Sequence, residues 1–168
     1  MRQKMSNKFF ELIESIMKFI FEKIFKLKLS QEKYDALIQF IKFGIVGLSN
    51  TVVSYVIYVV SLVVLQKAGL LPEIDYLVAQ FIGFVLSVLW SFYWNNKFVF
   101  QDKGGKRNLW QALLKTYMSY AFTGLFLNSI LSLLWVEVFH WSKMIAPIIN
   151  LLVSVPLNFI MNKFWAFK

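Results

Sequence analysis

Two stretches of ten residues hold the side chains best suited to chemistry: SFYWNNKFVF at 91–100 and NFIMNKFWAF at 158–167, offset by 67 residues. Each gathers amides, a lysine and aromatic rings at the close of a long apolar run. Asn95, Asn158 and Asn162 can donate and accept hydrogen bonds. Lys97 and Lys163 can meet an anion, and Trp94, Trp165 and Trp90 can present ring faces. The same residue types describe how a membrane helix ends at the water boundary, with rings at headgroup level and ammonium groups reaching lipid phosphates. That structural reading covers a single cassette. An ordered set of ten residues that occurs twice asks for a further explanation.

Deeper in the apolar runs lie Asn50, Asn128 and Asn150, where an unpaired amide is costly. Such amides either join helices or line a polar path. Gly44, Gly47, Gly83 and Gly124 are expected to allow close helix contact. Absences narrow the chemistry. A proton-coupled carrier ordinarily keeps Asp, Glu or His within the membrane, and here only Glu137 and His140 come near, at the end of one run. Gly104-Gly105 lacks phosphate-loop spacing, and no paired carboxylates or nucleophile–histidine set is present. With no cysteine either, the expectation is no enzyme, no metal and no cofactor.

The elements that position these residues follow from composition. The chain has 168 residues, 58% of them hydrophobic and 16% charged, and its mean hydropathy is +0.59. That is far too apolar for a soluble domain of this size, so an integral membrane protein is expected. The net charge of +9 then points to anionic membrane lipids rather than to nucleic acid. Four runs, at about 43–65, 76–94, 117–139 and 144–161, are long enough to cross, since ~20 residues suffice. Residues 1–36 differ: apolar residues alternate with Lys8, Glu11, Glu14, Lys18, Glu22 and Lys23 at helical spacing. This pattern predicts an amphipathic helix lying in the plane of the membrane surface, or one packed on a partner protein. The expected fold is all-α: a segment 1–36, then a domain 37–168 of four transmembrane helices.

Basic residues set the expected orientation. Residues 1–42 hold nine Lys/Arg and 96–116 hold five, against one each in 66–75 and 140–143. Positive-inside then places both termini and the middle loop in the cytoplasm, in the cell membrane. The repeat extends beyond the cassettes. YLVAQFIG at 76–83 aligns without gaps to KMIAPIIN at 143–150, and FIKFGIVG at 40–47 matches YMSYAFTG at 117–124, pairing Gly47 with Gly124. The spans therefore read as two hairpins of one orientation, a parallel repeat.

FIKFGIVG opening the first span, Asn95 before Phe98-Val99-Phe100, and Asn158, Asn162, Lys163, Trp165 and Phe167 in the last cassette resemble the GtrA-like family. The resemblance covers roughly 37–168. It implies movement of a polyprenyl-phosphate-linked sugar, such as an undecaprenyl phosphate sugar, across the membrane to serve glycosylation of cell-surface or wall polymers. Ser91 stands in the second span where Asn158 stands in the fourth, so the two cassettes are not equivalent.

Such a substrate has an anionic head, a hydroxyl-rich ring and a long apolar tail. In the expected topology Lys42, Lys97, Lys115 and Lys163 lie at one membrane depth and could gather the phosphate if the helices cluster. Trp94 and Trp165 could stack on the sugar, while Asn95, Asn158 and Asn162, and deeper in Asn50 and Asn128, could bond its hydroxyls. Lacking an intramembrane acid, the protein is expected to move substrate down a gradient without its own energy source. A small cation exporter fits poorly, because 43–65 contains no acidic residue. The remaining alternative is a non-transporting partner that stabilises or recruits a membrane glycosyltransferase. Four helices are few to enclose a path, so a homodimer or a complex with the synthase suits either reading.

Overall fold

The computed structural model describes residues 2–24, 30–101, 107–142 and 146–168. Among these, all regular structure is helical. Four helices are long and apolar enough to cross a membrane: Gln31–Lys67, Asp75–Val99, Leu109–Val138 and Ile148–Ala166. They are the first to fourth spans below. A shorter N-terminal helix, Arg2–Phe19, precedes them and runs on into a π-helical turn at Ile20–Ile24. Parts of the sequence reading at 25–29, Lys103, Lys106 and Lys143 lie outside the described residues.

The helices run longer than the hydropathy expects. The first has 37 residues, roughly 55 Å at 1.5 Å per residue, against about 30 Å of hydrocarbon. It starts at Gln31, so polar residues that looked like part of a separate segment belong to the first span. The third starts at Leu109 because Asn108 caps it: its Oδ1 accepts from the N–H groups of Trp110 at 3.1 Å and Gln111 at 3.2 Å. The first ends at Lys67, and Gly69, one residue past the C-cap Ala68, turns left-handed with a φ of 63°. Leu70 N–H closes that cap on the Leu65 carbonyl at 3.0 Å.

The spans pair as two hairpins. In the first, Gly83 brings the second span against the first; a Cβ built there would sit 3.1 Å from the Ser54 carbonyl oxygen. In the second, Asn150 joins the fourth span to the third. Its Nδ2 donates to Ser132 Oγ at 2.8 Å and to the Asn128 carbonyl at 3.1 Å, and its Oδ1 accepts from Trp135 Nε1 at 2.9 Å. Asn150 thus serves as a helix-to-helix joint. Between hairpins, Tyr117 OH donates to the Val85 carbonyl at 2.5 Å.

Both cassettes end their spans in the same way. The carbonyl of Asn95 accepts from Phe100 N–H, and that of Asn162 from Phe167 N–H, each at 2.8 Å. These i→i+5 bonds close π-helical turns at Asn95–Val99 and Asn162–Ala166. The widened turns send Phe98, Val99, Phe100, Ala166 and Phe167 inward, where they form the core with Phe43, Val46, Phe159 and Phe10 of the N-terminal helix. Phe100 and Phe167 stack at 4.8 Å, and Phe92 and Phe167 at 5.4 Å. Several of the rings expected at headgroup level are therefore the keystone that holds the two repeats together. A planar ring packed on another ring gains contacts that lipid tails do not reproduce.

Candidate functional site: a groove between the hairpins

Residues at helical spacing turn small and polar groups to one side of each wall. On the first span these are Gly44, Gly47, Asn50 and Thr51; on the third, Tyr120, Thr123, Gly124 and Asn128; on the fourth, Ser154 and Asn158, beside the apolar Leu151 and Val155. Between the first, third and fourth spans they enclose a groove of 720 Å³. A second cavity of 570 Å³ lies against the second span, bordered by Ser54, Tyr55, Tyr58, Gln80 and Ser87. Asn50, Thr51 and Tyr120 border both spaces. Each volume is typical of a small-molecule site, roughly 300–1,000 Å³.

The polar atoms of this path are unevenly satisfied. Thr123 Oγ1 lies 2.8 Å from Asn158 Oδ1 and 2.9 Å from the Ser119 carbonyl, and its single proton is shared between these two acceptors. Tyr120 OH bonds Ser91 Oγ at 2.9 Å. The Oδ1 atoms of Asn50 and Asn128, by contrast, are buried and have no hydrogen-bond partner in the protein. Leaving a buried acceptor unmade costs about 1–3 kcal/mol. Both residues border the groove, but the oxygens themselves have almost no accessible surface, as does the unpartnered Asn95 Oδ1 at the cassette turn.

The candidate residues read from the sequence divide into three sets. Asn50, Asn128 and Asn158 come together in the groove. Asn95 and Asn162 are fully buried at the cassette turns. Asn95 Nδ2 donates to Ser91 Oγ at 3.1 Å, and Asn162 Nδ2 to the Asn158 carbonyl at 2.8 Å. The four lysines form the third set, and none of them lines the groove or the cavity beside it. Lys42 pairs with Glu14 of the N-terminal helix and borders a separate 410 Å³ cavity with Tyr34 and Asp35. Lys97 donates to Tyr93 OH at 3.1 Å, and Lys115 to the Trp165 carbonyl at 3.1 Å. Lys163 lies over the Phe159 ring at 5.5 Å. Each ammonium rests on nearby aromatics, which holds the charges around the cassette end instead of at one point. Trp94 stacks on Phe98 at 5.3 Å, and Trp165 is half exposed under Lys115.

Sequence reasoning passed over Tyr120, Thr123 and Arg107. The repeat carries a signal for the first two. Their counterparts Phe43 and Val46 are buried apolar residues, so the second hairpin puts hydroxyls where the first has none. Arg107 read as part of a basic loop. Its Nη1 donates to Asn96 Oδ1 at 2.9 Å and to the Phe100 carbonyl at 2.7 Å, and its guanidinium lies over the Phe167 ring at 5.2 Å. One side chain thus clamps both cassettes, an arrangement that only the turn geometry creates.

A family model described as GtrA/DPMS, transmembrane domain, matches residues 42–167. That stretch takes in nearly all of the four spans, both cassettes and every residue lining the groove except Ile41. No curated protein and no solved structure matches the chain. The helices and the match agree on a multi-pass membrane protein. The chain belongs to the GtrA/DPMS transmembrane-domain family.

Proposed function

We propose that this chain translocates a polyprenyl-phosphate-linked sugar across the cytoplasmic membrane, supplying glycosylation of cell-surface polysaccharide. The observation that carries this reading is the pair of spaces between the repeats, both bordered by Asn50, Thr51 and Tyr120. A sugar head cannot leave water for hydrocarbon without replacing the hydrogen bonds of its hydroxyls, at several kcal/mol per group lost. Asn50, Asn128 and Asn158 in the groove, with Ser54, Tyr58 and Gln80 in the cavity beside it, are the polar side chains that replace them in stages. The apolar tail stays in the bilayer, beside Leu48, Leu151 and Val155 at the groove.

With both termini in the cytoplasm, the cassette end is the entry. Lys42, Lys97, Lys115 and Lys163 ring it with positive charge and draw the phosphate in from the anionic leaflet, while Trp94 and Trp165 flank the mouth. The N-terminal helix rests on that surface through Leu12, Ile16 and Phe19, which are exposed. Among the described residues no acidic side chain borders the path, and the carrier moves lipid down the gradient set by enzymes on either side. It is a carrier, not an enzyme. A membrane glycosyltransferase or a second copy of the chain completes the outer wall that four helices leave open.

Reconstitution tests this reading. Purified protein is placed in liposomes holding a polyprenyl-phosphate sugar in both leaflets, and an impermeant oxidant reports outward-facing sugar over time. The protected half should become reactive with protein and stay protected in empty vesicles. If no sugar crosses while the protein binds a glycosyltransferase and raises its activity, the protein is a partner and not a carrier.

A further inference from the structure

Gly47 and Gly124 lie in helix interiors, yet no side chain or neighbouring backbone crowds them. A Cβ built on either meets no atom within 4 Å, and the same holds for Gly44. All three line the groove. This reverses the expectation that they serve close helix contact, which Gly83 alone of the four fulfils, with the Ser54 carbonyl 3.1 Å from its built Cβ. An interior glycine costs about 0.5–1 kcal/mol relative to alanine. The usual return in a membrane bundle is the close approach of a second helix, and Gly47 and Gly124 lack it. They are also repeat-mates, one from each hairpin, and they border the groove from the first and the third spans.

We propose that Gly47 and Gly124 determine specificity by setting the clearance of the groove, and with it the bulk of the sugar head that passes. This deepens the transport reading and rests on it. Asn50 follows Gly47 by three residues and Asn128 follows Gly124 by four, so each open glycine sits about one helical turn, ~5 Å, from an unpartnered amide oxygen. A side chain at either glycine would stand between the head and the amides that receive it. Added bulk at either glycine narrows the groove, so larger heads meet the wall first.

The chain contains no cysteine, so one can be introduced alone. Ser154→Cys lies in the groove at a buried position. In proteoliposomes a small, water-soluble methanethiosulfonate should label it, and adding Gly47→Leu with Gly124→Leu should slow labelling by roughly tenfold, as bulk fills the opening. Because a Cβ at either glycine meets nothing, Gly47→Ala and Gly124→Ala should leave the unfolding temperature unchanged or raised, whereas Gly83→Ala should lower it. In flipping assays the alanine pair should slow disaccharide heads more than monosaccharide heads. Equal labelling with and without the leucines overturns the proposal, as does a loss of both head sizes in equal proportion. Wild-type vesicles that move no lipid overturn the transport reading instead, and the labelling arm still decides whether the glycines set the clearance.

Discussion

Replacing Phe167 by alanine separates a packed keystone from an interfacial anchor. Phe167 is 3% exposed, stacked between Phe100 at 4.8 Å and Phe92 at 5.4 Å, with the Arg107 guanidinium 5.2 Å from its centroid. Removing a phenyl ring from such a site costs about 3–5 kcal/mol. In a membrane the unfolded chain keeps the ring in apolar surroundings, so the transfer part shrinks and the packing part remains. The expected loss is therefore about 3 kcal/mol, at the low end of that range. Phe164, three residues earlier in the same cassette, is 63% exposed. Its alanine variant should cost no more than about 0.5 kcal/mol, as surface substitutions do. Phe167→Leu keeps most of the volume and should cost less than about 1.5 kcal/mol. Reversible unfolding in mixed micelles titrated with sodium dodecyl sulfate, followed by tryptophan fluorescence, measures all three. If Phe164→Ala and Phe167→Ala agree within about 0.5 kcal/mol, the rings are a belt and the inward turn of the cassettes is not the source of stability.

Four further substitutions probe the site and its supports. Asn162→Ala deletes a fully buried amide and its 2.8 Å bond to the Asn158 carbonyl, so unfolding should become easier by about 1–3 kcal/mol. Asn158→Ala leaves Thr123 bonded to Ser119 and should lower sugar-lipid transport severalfold with little loss of stability, read by pairing the flipping assay with micelle unfolding. Arg107→Lys cannot hold Asn96 Oδ1 and the Phe100 carbonyl in one fork, and should destabilise by about 1–2 kcal/mol, seen as earlier unfolding. Glu14→Gln breaks the pair with Lys42; Glu14 is 45% exposed but Lys42 only 14%, so the cost should be about 1–2 kcal/mol and only partly screened by high salt.

Much of this protein is written in local sequence. The number of spans and the membrane class follow from hydropathy, because a bilayer demands ~20 apolar residues wherever a helix crosses, whatever that helix packs on. The repeat is legible too, since equivalent residues fold into equivalent turns: Asn95 and Asn162 close the same π-helical end. The tertiary structure decided which way those residues face. Asn50 and Asn150 are alike in sequence, both amides deep in apolar runs. One borders an open groove with its oxygen unpartnered, and the other is consumed in three helix-to-helix bonds. Gly83 and Gly124 are equally alike, and only the neighbouring backbone distinguishes a packing contact from an opening. Hydropathy measures how a residue partitions between water and lipid. Inside a bundle both alternatives are out of water, so the choice between joint and path falls to the neighbours that the fold supplies.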